Sequence, residues 1–199
     1  MTSDTAAVLR RHYQEHFAIH GDGPLATQQS REGQRFRFLK LFEISDLAGR
    51  SVLDIGSGLG DMYPMLKERY PTSCYEGIDI VPEMVQWAAA KYPGVRFRVA
   101  DLLEDSIPEQ FEYVLMSGVF NNAMPDPTDF LEALVCRAWE RSTRGLGFNF
   151  LSTHVNFVDD TMAYHDPARI LDYCVRRLSR RVRIEHHYER CDVAVFVFR

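Results

Sequence analysis

The segment SVLDIGSGLGD, residues 51–61, decides the fold of this chain. It begins as a short apolar run typical of a buried strand and breaks into a turn with Gly at positions 56, 58 and 60. A helix-like stretch, 62–70, follows the turn. A strand that passes through a glycine turn into a helix places backbone N–H groups around a ligand at the carboxyl edge of a parallel sheet. The segment therefore predicts a ligand site beside this turn.

The spacing of the three glycines indicates which class of ligand binds beside the turn. A dinucleotide fold usually follows the pattern G-x-G-x-x-G, and its third glycine would fall at position 61, which is Asp. Asp54 lies inside the strand, where an acidic side chain costs free energy unless a partner satisfies it. A glycine triplet alone is also compatible with a simple tight turn, so the acids further along the chain must decide.

Length and composition indicate a single globular domain. With 199 residues, 46% apolar and 26% charged, the chain can bury about 70% of its unfolded surface. The net charge of −5 disfavours a nucleic-acid partner, and the chain has no apolar run of 18 or more residues that would predict a membrane partner. The N-terminus lacks an apolar signal region, and the four cysteines have no metal-ligand spacing. We therefore expect a cytoplasmic protein with reduced thiols and no metal.

Predicted strands and helices alternate after residue 50, which indicates an α/β protein with a mostly parallel sheet in a three-layer αβα sandwich. A short turn, 189–192, joins the last two of seven strands, so the last strand must be antiparallel. Residues 1–44 are expected to form cap helices before a core that spans 50–199. The predicted strands are 52–55, 74–80, 97–100, 112–116, 145–151, 182–188 and 193–198, and the predicted helices include 6–19, 34–44, 62–70, 127–141 and 167–178.

Acidic residues accompany the first three strands. Asp79 ends the second strand, and its position after the glycine turn is the one expected of a carboxylate that binds ribose hydroxyls. Asp101 follows the third strand. Because the first three strands of such a sheet lie side by side, Asp54, Asp79 and Asp101 are expected to line one crevice.

This order of motifs resembles the class I S-adenosylmethionine-dependent methyltransferases of the bacterial small-molecule type. The resemblance implies one methyltransferase domain, 1–199, that binds S-adenosyl-L-methionine and transfers its methyl group by in-line displacement to oxygen or nitrogen of a small molecule. The segments that carry it are VLDIGSGLGDM (52–62), YEGIDIVPEMVQWA (75–88), FRVADLLE (97–104), FEYVLMSGVFN (111–121) and GLGFNFLS (145–152).

The resemblance implies roles at the methionyl end of the cofactor. Gly56, Ser57 and Gly58 would let the backbone approach this part of the ligand. Asp54 would lie near its ammonium group, and Ser117 would line the site beside the methyl group.

The resemblance also implies roles at the adenosine end. Asp79 would accept hydrogen bonds from both ribose hydroxyls. Ile80 and Met84 would pack on the adenine, Asp101 would bond its exocyclic amine, and Leu102 would back the ring.

The segment HGDGPLATQQSREGQRFRFL, residues 20–39, is similar to the lead-in of a group of bacterial methyltransferases. Our hypothesis is that Arg35 or Gln34 closes over the cofactor, with Arg35 pairing with the carboxylate. The alternative for Arg35 is a surface position on an amphipathic helix.

A general base is needed if the acceptor is a hydroxyl or an ammonium group. We favour His154, after the fifth strand, and also consider Tyr13 on the first helix. Tyr164 and His165 are further candidates, because the loop 152–165 that carries them is long for a simple connection. The alternative for His154 is a packed histidine that touches no substrate.

Two other functions stay open at this point. A nicotinamide-dependent oxidoreductase would share the strand, the turn and Asp79, although the glycine spacing and Asp101 count against it. A non-catalytic module of methyltransferase fold would keep the cofactor as a ligand only. The basic run 176–183 is interpreted as a solvated face, and the sequence predicts no oligomeric state.

Overall fold

A seven-stranded sheet organises the structure, a computed structural model that describes residues 3–28, 30–186 and 191–199. Its strands are β1 (Ser51–Ile55), β2 (Cys74–Asp79), β3 (Arg96–Val99), β4 (Phe111–Met116), β5 (Ser142–Leu151), β6 (Val182–Glu185) and β7 (Asp192–Phe198). They pair in the order β3-β2-β1-β4-β5-β7-β6. The pairs among β1 to β5 are parallel, whereas β7 is antiparallel to both of its neighbours. The predicted mostly parallel sheet with an antiparallel last strand is therefore confirmed.

Helices cover both faces of this sheet. They are α1 (Ser3–His20), α2 (Arg31–Leu41), α3 (Met62–Arg69), α4 (Pro82–Lys91), α5 (Pro127–Arg141) and α6 (Pro167–Arg177). Asp166 caps α6, since its side chain accepts a hydrogen bond from the backbone N–H of Ala168 at 2.8 Å. No helix in the described part of the chain is long and apolar enough to span a bilayer.

Two apolar layers bury the alternating side chains of the central strands. Leu53 of β1 belongs to the cluster that contains residues of α5 and α6, whereas its neighbour Val52 packs in the cluster that contains residues of α2 and α3. In β4, Val114 and Leu115 divide between the two clusters in the same way. This alternation produces the predicted three-layer αβα sandwich.

Several predicted boundaries are wrong at the ends of elements. Helix α2 begins at Arg31 rather than at 34, because the Ser30 hydroxyl caps it by accepting from the N–H of Gly33 at 3.0 Å. The helix also ends at Leu41, and the predicted remainder to 44 is a 3₁₀ turn. Strand β6 ends at Glu185, where its pairing with β7 stops, and residues 187–190 of the predicted strand and turn lie outside the described residues.

Candidate functional site

The glycine turn after β1 has a backbone that only glycine adopts without strain. Gly56, Gly58 and Gly60 have φ angles of +73°, +51° and +77°. The N–H groups of Gly56 and Ser57 donate to the carbonyl of Ile78 at 2.9 and 3.0 Å, which ties the turn to β2. A Cβ atom at position 56 would also lie only 2.7 Å from a methyl carbon of Val119. Conformation and lack of space together require glycine here.

A phenylalanine supports this turn from β3. A Cβ atom on Gly77 would come within 2.7 Å of the Phe97 ring and within 2.9 Å of the Ser57 Cβ. A Cβ atom on Gly60 would likewise meet Phe97 at 2.7 Å. Since Phe97 occupies the space that two glycines leave open, the ring determines how closely the turn approaches β2.

Asp79 joins the tip of β2 to the glycine turn. One carboxylate oxygen accepts from the N–H of Gly58 at 2.8 Å, and the other accepts from the N–H of Val81 at 2.9 Å. Burial raises the pKa of Asp79, while these backbone donors act in the opposite direction. The carboxylate therefore has a fixed orientation, as a group that recognises a ligand requires.

Asp54 is 2% exposed and has a hydroxyl partner. The O–H of Tyr75 donates to one of its oxygens at 2.7 Å. Burial raises the pKa of Asp54 to about 7, the Tyr75 hydrogen bond lowers it, and the charges of Asp79 and Asp61 raise it further. Near neutral pH this carboxyl group is thus close to the midpoint of its titration.

Asp101 closes a turn directly after β3. One of its oxygens accepts from the N–H of Leu103 at 2.9 Å, and its own N–H donates to Asp105 at 2.8 Å. The strand order places β3 beside β2 and β2 beside β1, so Asp101 lies at the same edge of the sheet as Asp54 and Asp79.

One cavity at this edge brings most of the predicted site residues together. The predicted cofactor residues that line it are Asp54, Gly56, Ser57, Gly58, Asp79, Ile80, Met84, Asp101, Leu102 and Ser117. The buried hydroxyl of Ser57 has no hydrogen-bond partner among the residues that the structure describes, so a polar group of a ligand can satisfy it.

Helix α1 lies along one side of the cavity. Leu9 and Tyr13 line the cavity, and the Arg10 side chain donates to the carbonyl of Ile80 at 2.9 Å. The Tyr13 hydroxyl donates to the side-chain oxygen of Asn122 at 2.9 Å. Burial raises the pKa of Tyr13, and the nearby charge of Asp79 raises it as well, so the phenol keeps its proton at neutral pH.

Arg35 and His154 are not among the residues that line the cavity. Gln34 and Phe38 of α2 face it, and because consecutive helical residues are rotated by about 100°, the neighbouring Arg35 is exposed on another side of the helix. His154 is exposed as well, and its ring centre lies 5.9 Å from that of His186. The structure brings neither Arg35 nor His154 to the other predicted residues.

The two remaining base candidates belong to the packing of loop 152–165. His165 is 1% exposed, and its ring nitrogens lie 3.2 Å from the Thr128 hydroxyl and 3.1 Å from the carbonyl of Phe120. Burial lowers the pKa of His165, so the ring is neutral. The Tyr164 hydroxyl accepts from the N–H of Asp159 at 3.1 Å. Both side chains hold the loop in place.

Sequence reasoning missed several apolar residues of the cavity. Ala6 and Leu9 come from α1, whereas Phe130 and Leu134 come from α5 and Val119 from the segment after β4. Leu134 belongs to the apolar core beneath α5, and the same side chain also lines the cavity. No local signal separates these two roles.

Comparisons with known proteins agree with this geometry. A family model described as a methyltransferase domain matches residues 52–137. The putative methyltransferase Rv1506c of Mycobacterium tuberculosis is 31% identical over 153 residues, which cover 74% of this chain and 92% of that protein. A trans-aconitate 2-methyltransferase of Sinorhizobium fredii is 32% identical over 95 residues, which cover 48% of this chain and 37% of that protein.

A solved structure has the same fold. Magnesium protoporphyrin IX methyltransferase from Synechocystis, with bound S-adenosylhomocysteine, superposes with a TM-score of 0.71 at 18% identity. The match covers 97% of this chain and 99% of that one. At this level of identity the likeness concerns the fold alone.

Proposed function

Because the chain belongs to the class I S-adenosylmethionine-dependent methyltransferases, we propose that it methylates an oxygen or nitrogen atom of a small-molecule acceptor. Its cofactor is S-adenosyl-L-methionine and its reaction is methyl transfer, so the oxidoreductase and the non-catalytic module are set aside. The observation that carries the proposal is the meeting of the glycine turn with Asp54, Asp79 and Asp101 around one cavity.

The residues of this cavity fit the cofactor. The turn at Gly56 leaves no room for a side chain, and the nearby carboxylates complement a cationic ligand. In the described part of the chain, the Ser57 hydroxyl has no hydrogen-bond partner. When bound, the cofactor supplies an electrophilic methyl group on a sulfonium sulfur. The protein then has to hold the ligand, align the acceptor and exclude water, and such alignment contributes up to roughly 7–11 kcal/mol in well-oriented reactions.

We retain the predicted roles as proposals. Asp54 and the turn would bind the methionyl part, with Gln34 of α2 taking the place predicted for Arg35. Asp79 would bind the ribose, and Ser117 would lie beside the methyl group. The residues proposed to hold the adenine are Ile80, Met84, Asp101 and Leu102.

The chemistry of the cavity favours a carboxylate as the acceptor group. Among the described residues, the titratable side chains that line the cavity are Tyr13, Asp54, Asp79 and Asp101. The three acids are proposed to serve the cofactor, and Tyr13 keeps its proton, so it would orient the acceptor rather than deprotonate it. A carboxylate oxygen is already anionic at neutral pH and needs no general base. The name of one relative, trans-aconitate 2-methyltransferase, also refers to a carboxylic acid.

An acceptor screen tests this proposal. Purified protein is incubated with S-adenosylmethionine and sets of small acids, alcohols and amines, and formation of S-adenosylhomocysteine is followed, with Asp79→Asn as the inactive control. We expect acids to be converted to methyl esters. Turnover confined to alcohols or amines would refute a carboxylate as the acceptor group but would still support methyl transfer. Thermal stabilisation by NAD and not by S-adenosylhomocysteine would refute the cofactor assignment.

Four further expectations stay proposals. Residues 1–44 are proposed to cap the core 50–199 within one methyltransferase domain, 1–199. The cytoplasmic location and the absence of nucleic-acid and membrane partners stay predictions. A role of His154 as the base also stays a prediction, to which its exposed position adds no support.

A further inference from the structure

Tyr75 is a partly buried tyrosine that has no role in the predicted site or in the proposed function. Building on the proposed function, we propose that Tyr75 is a positioning residue: its O–H binds one oxygen of Asp54 and keeps this side chain an oriented carboxylate for the cofactor's ammonium group. Tyr75 itself would touch no ligand, and it is not among the residues that line the cavity.

The pairing of β1 with β2 brings the two side chains together. Tyr75 pairs with Val52, and Gly77, two residues further along β2, pairs with Asp54. Because alternate residues of a strand share one face, Tyr75 points to the same side of the sheet as Asp54. Gly77 carries no side chain, so β2 itself places nothing between the phenol and the carboxylate. The resulting distance of 2.7 Å between the two oxygen atoms is that of a well-formed O–H···O hydrogen bond.

Neighbouring rings hold the phenol in this direction. Tyr63, Tyr75, Tyr92 and Phe97 form an aromatic cluster under the glycine turn, and the ring centre of Tyr75 lies 5.4 Å from that of Tyr63 and 5.8 Å from that of Phe97. Phe97 also supports the glycine turn. The cluster therefore holds the Tyr75 hydroxyl and the glycine turn in a constant position relative to each other.

The negative charges near Asp54 oppose its ionisation, so the hydrogen bond from Tyr75 matters for keeping it ionised. The negative charges of Asp79 at the tip of β2 and of Asp61 before α3 oppose the ionisation of Asp54, although Asp61 is itself paired with Lys91 at 3.3 Å. Burial, the largest cause, also raises the pKa of Asp54, and the Tyr75 hydrogen bond opposes all three effects. Burial raises the pKa of Tyr75 well above its ordinary value, so Tyr75 stays protonated and remains the donor.

The substitution Tyr75→Phe tests the inference, because it removes one oxygen and keeps the ring. The affinity for S-adenosylhomocysteine, which retains the ammonium group, is measured by calorimetry from roughly pH 5.5 to pH 9. In the unmodified protein we expect the affinity to rise with pH as Asp54 ionises, with a midpoint near 7. In Tyr75→Phe we expect the midpoint to move up by about one unit, which lowers the affinity about fivefold at pH 7 and about tenfold at pH 5.5, and restores it at high pH.

Two controls separate positioning from packing. Tyr63→Phe removes a hydroxyl from the same aromatic cluster and should leave the midpoint unchanged. Binding of 5′-methylthioadenosine, which lacks the amino-acid part, should depend neither on pH nor on Tyr75. An unshifted midpoint, or an equal loss of affinity at every pH, would overturn the role of Tyr75 alone. If S-adenosylhomocysteine does not bind the unmodified protein, the proposed function fails and this role fails with it.

Discussion

Among individual residues, Asp54 shows most clearly that the site costs stability. Its pKa is raised to about 7, above the ordinary value of about 4 that it has in the unfolded chain, chiefly because the side chain is buried. The folded state therefore binds this proton more tightly than the unfolded state. The resulting stability is fully present below about pH 4 and is lost as the pH rises through 7. Ionisation of Asp54 thus destabilises the folded protein, and a cationic ligand can offset this loss of stability.

The substitution Asp54→Asn should stabilise the ligand-free protein at pH 8. The amide stays neutral, and its oxygen can still accept from Tyr75, so we expect a melting temperature higher by about 2–4 °C for each kcal/mol gained. At pH 5 the difference should be much smaller, since Asp54 is then already protonated. Thermal melting at both pH values measures the effect, and Asp160→Asn, at an exposed position, is the control. Equal melting temperatures at pH 8 would refute the burial cost.

The same scale explains which site residues the sequence could identify. Asp79 is the last residue of β2 and Asp101 comes two residues after β3, so their positions at the sheet edge come from the chain order alone. Arg35 and Gln34 are adjacent on one helix, and their residue types do not say which of them faces the cavity. The Ser30 cap and the packing of α2 settle that orientation, and they place Gln34 inward.

At the scale of elements, the glycine turn depends on a strand that lies two positions away in the sheet. Phe97 of β3 reaches across β2 to the space beside Gly77 and Gly60. The sequence thus identifies the glycine turn, but it does not indicate that Phe97 supports it. This separation makes the fit between Gly77 and Phe97 a test of the whole arrangement.

Gly77→Ala should loosen the turn. The new methyl group would lie 2.7 Å from Phe97 and 2.9 Å from the Ser57 Cβ, so we expect a loss of about 1–3 kcal/mol in the free energy of unfolding and weaker S-adenosylhomocysteine binding. Urea unfolding and calorimetry measure both effects. Gly23→Ala is the control, since its Cβ would meet nothing closer than 3.9 Å. Adding Phe97→Leu should recover part of the loss, and an unperturbed Gly77→Ala would contradict the packing argument.

At the scale of the whole molecule, the cavity joins parts of the chain that are far apart in sequence. Its walls come from α1, α2, the glycine turn, the tips of β2 and β3, the segment after β4, and α5. Helix α1 is tied to this body by Arg10 and Tyr13 through single side-chain hydrogen bonds. A ligand in the cavity would add contacts to Ala6, Leu9 and Tyr13 and so hold α1 in place.

Hydrogen exchange should reveal this coupling. With saturating S-adenosylhomocysteine, we expect slower exchange in the middle of α1 and in the glycine turn, because local opening then requires loss of the ligand. Helix α6 and strand β6 are not among the cavity elements and should exchange as before, which makes them internal controls. Unchanged exchange in α1, together with protection of the turn, would show that α1 does not cover the bound cofactor.

The sequence by itself determined the layered α/β fold, the glycine turn and the acids at the strand tips. These features depend on neighbouring residues: alternation along a strand, a glycine where φ is positive, and a cap such as Asp166 before Pro167. Only the tertiary structure decided that Gln34 and not Arg35 faces the cavity, that His154 lies outside it, and that Tyr75 binds Asp54. The physical reason is that the direction of a side chain and the burial of a charge depend on packing between elements distant in the chain.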